Sequence, residues 1–126
     1  MKRYVDGYVL PVPKKNLAVY KKMAAQAGKI WMKHGALQYT ECVGDDLKSA
    51  QKWGGLSFMK MANAKPNETV ILAYVVYKSK AHRDKVNAKV MKDPVMNDPK
   101  KKDKPMPFEM KSMAYGGFAS IVNLER

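Results

Sequence analysis

The sequence predicts an α+β domain in which an antiparallel β-sheet carries two helices on one face. The segment Thr69–Lys78 is rich in β-branched and aromatic residues and contains neither Gly nor Pro, which is typical of a central strand. Between Leu17 and His34, apolar residues recur at spacings of three and four, which indicates an amphipathic helix. The order strand–helix–strand then occurs twice along the chain, and two such halves form a sheet of this kind.

The first half begins with a strand over Tyr4–Leu10, which Pro11 and Pro13 are expected to end because proline cannot donate to a β-ladder. The amphipathic helix follows and stops at Gly35. A second strand is expected over Ala36–Val43.

An irregular insertion at about 44–67 separates the halves, and within it Leu56–Ala62 is expected to form a short extra strand. After Thr69–Lys78, Ser79 caps a second helix that runs to about Lys92. A polar, Lys-rich loop follows at about 98–107. The last strand is Met113–Leu124, in which two glycines indicate a bulge or a close approach of another backbone.

This order gives the ferredoxin-like βαββαβ arrangement, and residues 1–126 suit one domain of it. The strand Thr69–Lys78 is apolar on both faces, whereas the two helices cover only one. The apolar area exposed on the uncovered face of such a sheet would be larger than the apolar patches that monomers usually expose. We therefore expect a homodimer in which two sheets pack face to face.

The composition of the chain indicates where in the cell the protein is expected to occur. The longest apolar run, Val70–Tyr77, is much shorter than the roughly 20 residues of a membrane-spanning helix, and the N-terminus has no signal-peptide pattern. Cys42 is the single cysteine, so no intrachain disulfide forms and a cytoplasmic location is expected.

The net charge of +13 suits a polyanion such as RNA as a binding partner. The charge is almost entirely Lys and is scattered, which is more typical of a solvated surface.

Several segments resemble the domain-of-unknown-function 1428 family. The matching segments are Tyr4–Val9 with Val12-Pro13, His34–Leu37 with Glu41–Asp46, Ser79–Asp84 with Asn87 and Val90-Met91, Met106–Phe108, and Tyr115–Phe118. The resemblance covers essentially the whole chain. It implies a dimeric α+β barrel but no established activity. Proteins related by this fold include cofactor-independent monooxygenases, haem-degrading enzymes and small-molecule-binding proteins.

Two strand carboxylates are candidate catalytic groups. Asp6 shares a strand face with Tyr8, and burial in an apolar cavity would raise its pKa towards that of a general base. The alternative is a structural group paired with a neighbour. Glu41 shares a face with Tyr39, and a bridging Lys or Arg is the more ordinary partner for it.

The second helix supplies three further candidates. The resemblance to haem-handling folds makes His82 a candidate axial ligand, although a structural role is more ordinary for a lone histidine. Arg83 and Asn87, one helical turn apart, are candidate ligands for a carboxylate or phosphate. The alternative for Arg83 is a salt bridge to Asp6 or Glu41. No zinc site of ordinary ligand spacing is visible.

The function hypothesis is a homodimer that binds a small, partly apolar molecule in the barrel interior and either carries it or transforms it without a tightly held cofactor. Tyr8 and Tyr74 are the candidate wall residues. Methionines concentrated in the second half suit an adaptable apolar cavity as well as a core. The alternatives are an RNA-associated protein that uses Lys100–Lys104, and a structural dimer module.

Overall fold

The computed structural model describes residues 1–102 and 104–126, without the side chains of Ala50 and Lys102. Within the predicted Lys-rich loop, Asp103 and the side chain of Lys102 therefore lie outside the described part of the chain. Eight strands and helices are described: β1 (Tyr4–Pro13), α1 (Leu17–Lys33), β2 (Gln38–Val43), α2 (Phe58–Met61), β3 (Glu68–Tyr77), α3 (Lys80–Met91), α4 (Pro99–Lys102) and β4 (Ala114–Ala119).

The strands form one antiparallel four-stranded sheet in the order β2-β3-β1-β4. The predicted α+β class and antiparallel sheet are confirmed. The central strands are β1 and β3, paired over ten residues from Tyr4↔Tyr77 to Pro13↔Glu68. Between Val70 and Tyr77, β3 has no charged residue on either face.

Helices α1 and α3 pack on the same face, which we call the helix-covered face. Leu10 and Val12 of β1 and Ile71 and Ala73 of β3 form a buried cluster with α1 there. A second cluster joins the other end of β3 to α3 and the C-terminal part of α1; it consists of Ile30, Ala36, Val75, Tyr77, Val86 and Val90. These two clusters are the core.

Strand β1 continues through the two prolines that were expected to end it. Lys14 donates its N–H to Asn67 at 3.0 Å, so even-numbered residues of β1 point their N–H groups at β3. Pro11 and Pro13 therefore face the other edge, where β4 pairs only as far as Val9. Because no strand of the described residues lies beside them on that edge, their missing donors break no ladder.

Three other predictions need correction. Residues 56–62 contain the helical turn α2 rather than a strand, because the Ser57 hydroxyl caps it by accepting from the Lys60 N–H at 3.2 Å. Strand β4 ends at Ala119 and pairs with β1 without a bulge. At Gly117 the close approach is made by the Tyr4 side chain rather than by another backbone.

The helix boundaries follow the expected signals. Gly35 ends α1 with a φ of 112°, a conformation that favours glycine. The Ser79 hydroxyl accepts from the His82 N–H at 3.1 Å and so caps α3. No helix among the described residues is long and apolar enough to cross a membrane.

Candidate functional site

The helix-covered face brings the predicted carboxylates onto one side of the sheet. Register places Glu41, Ala73 and Tyr8 side by side across three strands. The next row of the same face holds Tyr39, Val75 and Asp6. Strand β3 therefore lies between Glu41 and Asp6. Tyr8 is in the same row as Glu41, and it neighbours Asp6 on the same face of β1.

A cavity of about 370 Å³ opens between this face, α1 and the segment 96–113. That size is within the range of roughly 300–1,000 Å³ found for small-molecule sites. Five aromatic and five methionine side chains line it: Tyr8, Tyr20, Trp31, Tyr39 and Phe108, with Met23, Met96, Met106, Met110 and Met113. Glu41 is the single carboxylate among its described lining residues, and the exposed Lys101 is the single cation.

Glu41 accepts two phenol hydrogen bonds inside this cavity. The Tyr20 hydroxyl of α1 donates to Oε1 at 2.6 Å, and the Tyr39 hydroxyl, two residues away on the same strand face, donates to Oε2 at 2.7 Å. Neither the expected Lys nor Arg partner is present, because no described cation lies within salt-bridge distance of Glu41. Its partners are tyrosines.

The pKa values of both phenols are well above the ordinary value. Burial is the largest cause for Tyr20 and for Tyr39, and the hydrogen bond to the Glu41 carboxylate raises both pKa values further. Both tyrosines therefore remain hydrogen-bond donors at neutral pH. Glu41 is thus held between two phenol donors.

Gly28 of α1 allows Tyr39 to reach this position. A Cβ at Gly28 would lie 2.7 Å from Cδ1 of the Tyr39 ring, closer than carbon atoms approach one another. The absence of a side chain thus lets α1 pack directly against the ring. Tyr39 also contacts Trp31, with the ring centroids 6.1 Å apart.

Tyr8, a predicted wall residue, does line the cavity. Burial raises the pKa of Tyr8 to about 12, with a smaller contribution from the negative charge of Asp6. Its ring stacks on the exposed ring of Tyr115 at a centroid distance of 5.9 Å. Tyr8 is therefore a third neutral phenol on the cavity wall.

Asp6 forms an ion pair rather than standing free in a cavity. Its side chain is buried, and Oδ1 accepts from Nη1 of Arg83 at 2.7 Å. The sequence analysis gave this salt bridge as the alternative to anion binding by Arg83. Neither residue is among the described residues that line the cavity. The pair joins β1 to α3.

Arg83 and the amide oxygen of Asn87 make further contacts within the protein. Arg83 donates from Nε to Asp84 at 2.7 Å and lies over the Tyr4 ring at 5.0 Å. The Asn87 amide oxygen accepts from Trp31 Nε1 and from the Tyr77 hydroxyl, each at 3.2 Å. Asn87 thereby orients Trp31, which lines the cavity, and the use of Arg83 and Asn87 as an anion site stays a prediction.

The histidines have protein partners. Nδ1 of His82 accepts from the Lys78 N–H at 3.0 Å, and its ring packs edge-on against Tyr77. His34 caps the end of α1 and contacts Asp93 Oδ2 at 2.7 Å. Within residues 1–102 and 104–126, no three His, Cys, Asp or Glu side chains form a metal-binding group.

Tyr74, the other predicted wall residue, lies on the opposite face of the sheet from Tyr8, because Tyr8 pairs with its neighbour Ala73. We call this opposite face the open face. Gly7 faces the Phe118 ring there. On the open face, 43% of the surface of Leu72 and 63% of the surface of Phe118 are exposed to solvent.

A broader groove of about 550 Å³ lies on the outer side of the same tyrosine–carboxylate group, between α1 and β2. Tyr20, Tyr39 and Glu41 line both the groove and the cavity. The sequence had placed Tyr39 and Glu41 on one strand face. It carried no signal for the contribution of Tyr20, since 21 residues separate it from Glu41.

The fold and the site together define an α+β protein with an aromatic, methionine-lined cavity under α1. The chain belongs to the family described as "Protein of unknown function (DUF1428)", whose model matches residues 3–110. It is 39% identical over 122 residues to the "Uncharacterized protein YbaA" of Escherichia coli strain K12, and equally to that of Shigella flexneri. That alignment covers 96% of this chain and 98% of each relative.

One solved structure, the de novo designed protein Foldit4, aligns with 98% of this chain and all of its own at 9% identity. The TM-score of 0.41 is too low for this likeness to carry an argument about fold or function.

Proposed function

We propose that the protein binds a small, partly apolar molecule in the cavity between the sheet and α1, as a homodimer of ferredoxin-like subunits that pair as a dimeric α+β barrel. The observation that carries the binding proposal is the cavity itself. Its walls are largely apolar and aromatic, and the hydroxyls of Tyr20 and Tyr39 converge on Glu41. Binding sites for small molecules have this composition.

The position of the site differs from the sequence-based hypothesis. A ligand in the barrel interior would contact the open face, where Tyr74 lies. The cavity is on the helix-covered face, where Tyr8, Tyr39 and Glu41 lie. Each subunit thus carries its own cavity, and the open face remains available for the partner subunit.

The open face supports the dimer proposal. Leu72 and Phe118 are exposed there, and Val5, Val9 and Val76 are only half-buried. The chain exposes further large apolar residues in the insertion and near the C-terminus: Trp53, Leu56, Phe58, Met61, Ile121, Val122 and Leu124. A second copy placed symmetrically against the open face removes such surface from water without another protein.

Tryptophan fluorescence tests the binding proposal. Trp31 lines the cavity, whereas Trp53 is 88% exposed, so Trp53→Phe leaves one reporter beside the site. Titration with the neutral probe phenylbutanol is expected to change Trp31 emission saturably. Ala27→Phe fills the cavity and is expected to abolish the change. Ala88→Phe, at an exposed position of α3, is the matched control and should bind as before.

A Trp31 signal that does not saturate, or one that survives Ala27→Phe, contradicts binding in this cavity.

A further inference from the structure

The Glu41 carboxylate has acceptor capacity that the protein does not use. An ionised carboxylate offers about four lone-pair sites. The two tyrosines occupy one site on each oxygen, which leaves both oxygens able to accept another hydrogen bond. Glu41 lines the cavity, so this capacity is available to a molecule bound there.

The charge of Glu41 has no ion-pair partner among the side chains that the structure describes, because Lys101 of the cavity and Lys21 of the groove lie beyond salt-bridge distance. Each of the six ion pairs among them involves other carboxylates. The phenols donate to Glu41 but remain neutral. A partly buried carboxylate without a cation is costly in an apolar setting, and an added cation relieves that cost.

The aromatic walls favour the same kind of ligand. Tyr8, Trp31 and Tyr39 line the same cavity as Glu41, and a ring face attracts a cation within about 6 Å of its centroid. Sites that recognise alkylammonium groups combine aromatic rings of this kind, and a carboxylate among them adds a charge-assisted hydrogen bond.

We propose that the ligand carries an ammonium group that binds Glu41, with its apolar remainder lying among the methionines of the segment 96–113. This inference rests on the proposed function, because it assigns the chemistry of the molecule held in that cavity. The ammonium donates to the unused lone pairs of Glu41. The rings of Tyr8, Trp31 and Tyr39 surround it.

Three probes of matched size test the charge: phenylbutylamine, phenylbutanol and phenylbutyrate. We measure their affinities by isothermal titration calorimetry on the wild-type protein at neutral pH. The amine is expected to bind about tenfold tighter than the alcohol, a difference of about 1.4 kcal/mol. The butyrate is expected to bind weakest, because its carboxylate would face that of Glu41.

Glu41→Gln tests the residue. The variant removes the charge and keeps one acceptor oxygen, and the hydroxyl of the other tyrosine can rotate to accept from the new NH2 group. The preference for the amine over the alcohol is therefore expected to disappear while the alcohol still binds. Glu125→Gln makes the same charge change at an exposed position near the C-terminus and should keep the preference. The wild-type comparison of the three probes stands even if Glu41→Gln does not fold.

The outcomes separate the two proposals. Equal or tighter binding of the alcohol or the butyrate overturns the ammonium assignment and leaves the binding cavity standing. Persistence of the amine preference in folded Glu41→Gln also overturns it. Failure of all three probes to bind overturns the assignment together with the proposed site.

Discussion

Arg83 donates from Nη1 to Oδ1 of Asp6 across 2.7 Å, and this ion pair joins the N-terminal half of α3 to the centre of the sheet. The carboxylate is buried, whereas the guanidinium keeps part of its surface in water. The contact thus fixes the orientation of α3, whose Asn87 in turn holds Trp31 at the cavity.

Loss of the Asp6 charge is expected to destabilise the protein. Asp6→Asn leaves Arg83 without its buried partner, and removal of one member of such a pair costs about 3 kcal/mol. Asp84→Asn removes the other carboxylate that Arg83 contacts, but that side chain is 59% exposed and a cost of at most about 1 kcal/mol is expected. Urea denaturation measures both. Equal costs for the two variants would contradict a structural role for Asp6.

A charge on the open face is expected to dissociate the proposed dimer. Tyr74→Asp places a carboxylate among Leu72, Val76 and their neighbours, where burial against a second copy would strip its water. Sedimentation velocity should show a folded monomer. Val19→Asp, on an exposed part of α1, is the matched control and should remain dimeric. A dimeric Tyr74→Asp would contradict pairing through this face.

The tyrosines of the helix-covered face should make stability depend on alkaline pH. Burial raises the pKa values of Tyr8, Tyr20, Tyr39 and Tyr77 above the ordinary 10.0. Above about pH 10 the unfolded chain therefore loses phenol protons that the folded chain keeps. The free energy of unfolding should be insensitive to these groups below that pH and fall as the pH rises above it.

Denaturant titrations at several alkaline pH values measure this fall. The double variant Tyr20→Phe with Tyr39→Phe should show a shallower decline than the wild type, because two of the shifted phenols are absent. Tyr115→Phe, which changes a 73% exposed ring, is the control. A decline as steep in the double variant as in the wild type would contradict the role assigned to these phenols.

Asp93 should account for part of the change in the free energy of unfolding at acid pH. The hydrogen bond from His34, followed by the Val95 N–H and Lys33, lowers the pKa of Asp93 to about 2 from the ordinary 3.8. Its contribution to stability is therefore present above about pH 4 and is lost as the pH falls towards 2. Asp93→Asn should be less stable than the wild type at neutral pH, and the difference should shrink in acid.

Unfolding experiments between neutral pH and about pH 2 check that convergence, with Asp46→Asn at an exposed position as the control. A difference between Asp93→Asn and the wild type that stays constant with pH would contradict the ionic role of this carboxylate.

Local sequence patterns predicted the regular elements well. The spacing of apolar residues located α1, Ser79 located the start of α3, and the apolar run located β3. Local patterns were misleading where the pairing of neighbouring strands determined how far an element extends. Whether Pro11 ends β1 depends on how far β4 extends beside it, and that follows from tertiary structure rather than from the residues around the proline.

The candidate site was only partly predictable for the same reason. Alternation along β2 placed Tyr39 and Glu41 together, and alternation along β1 placed Asp6 with Tyr8. The tyrosine that completes the Glu41 group comes from α1, and the cavity is closed by the segment 96–113, which has little regular structure. Nothing in local periodicity says which face such a segment covers.

Native mass spectrometry of the protein, purified without denaturation, tests the central claim most directly. The account predicts a homodimer that carries one small molecule per subunit, and loss of that molecule in Ala27→Phe but not in Ala88→Phe. A bare monomer, or a bound molecule that Ala27→Phe retains, would contradict it.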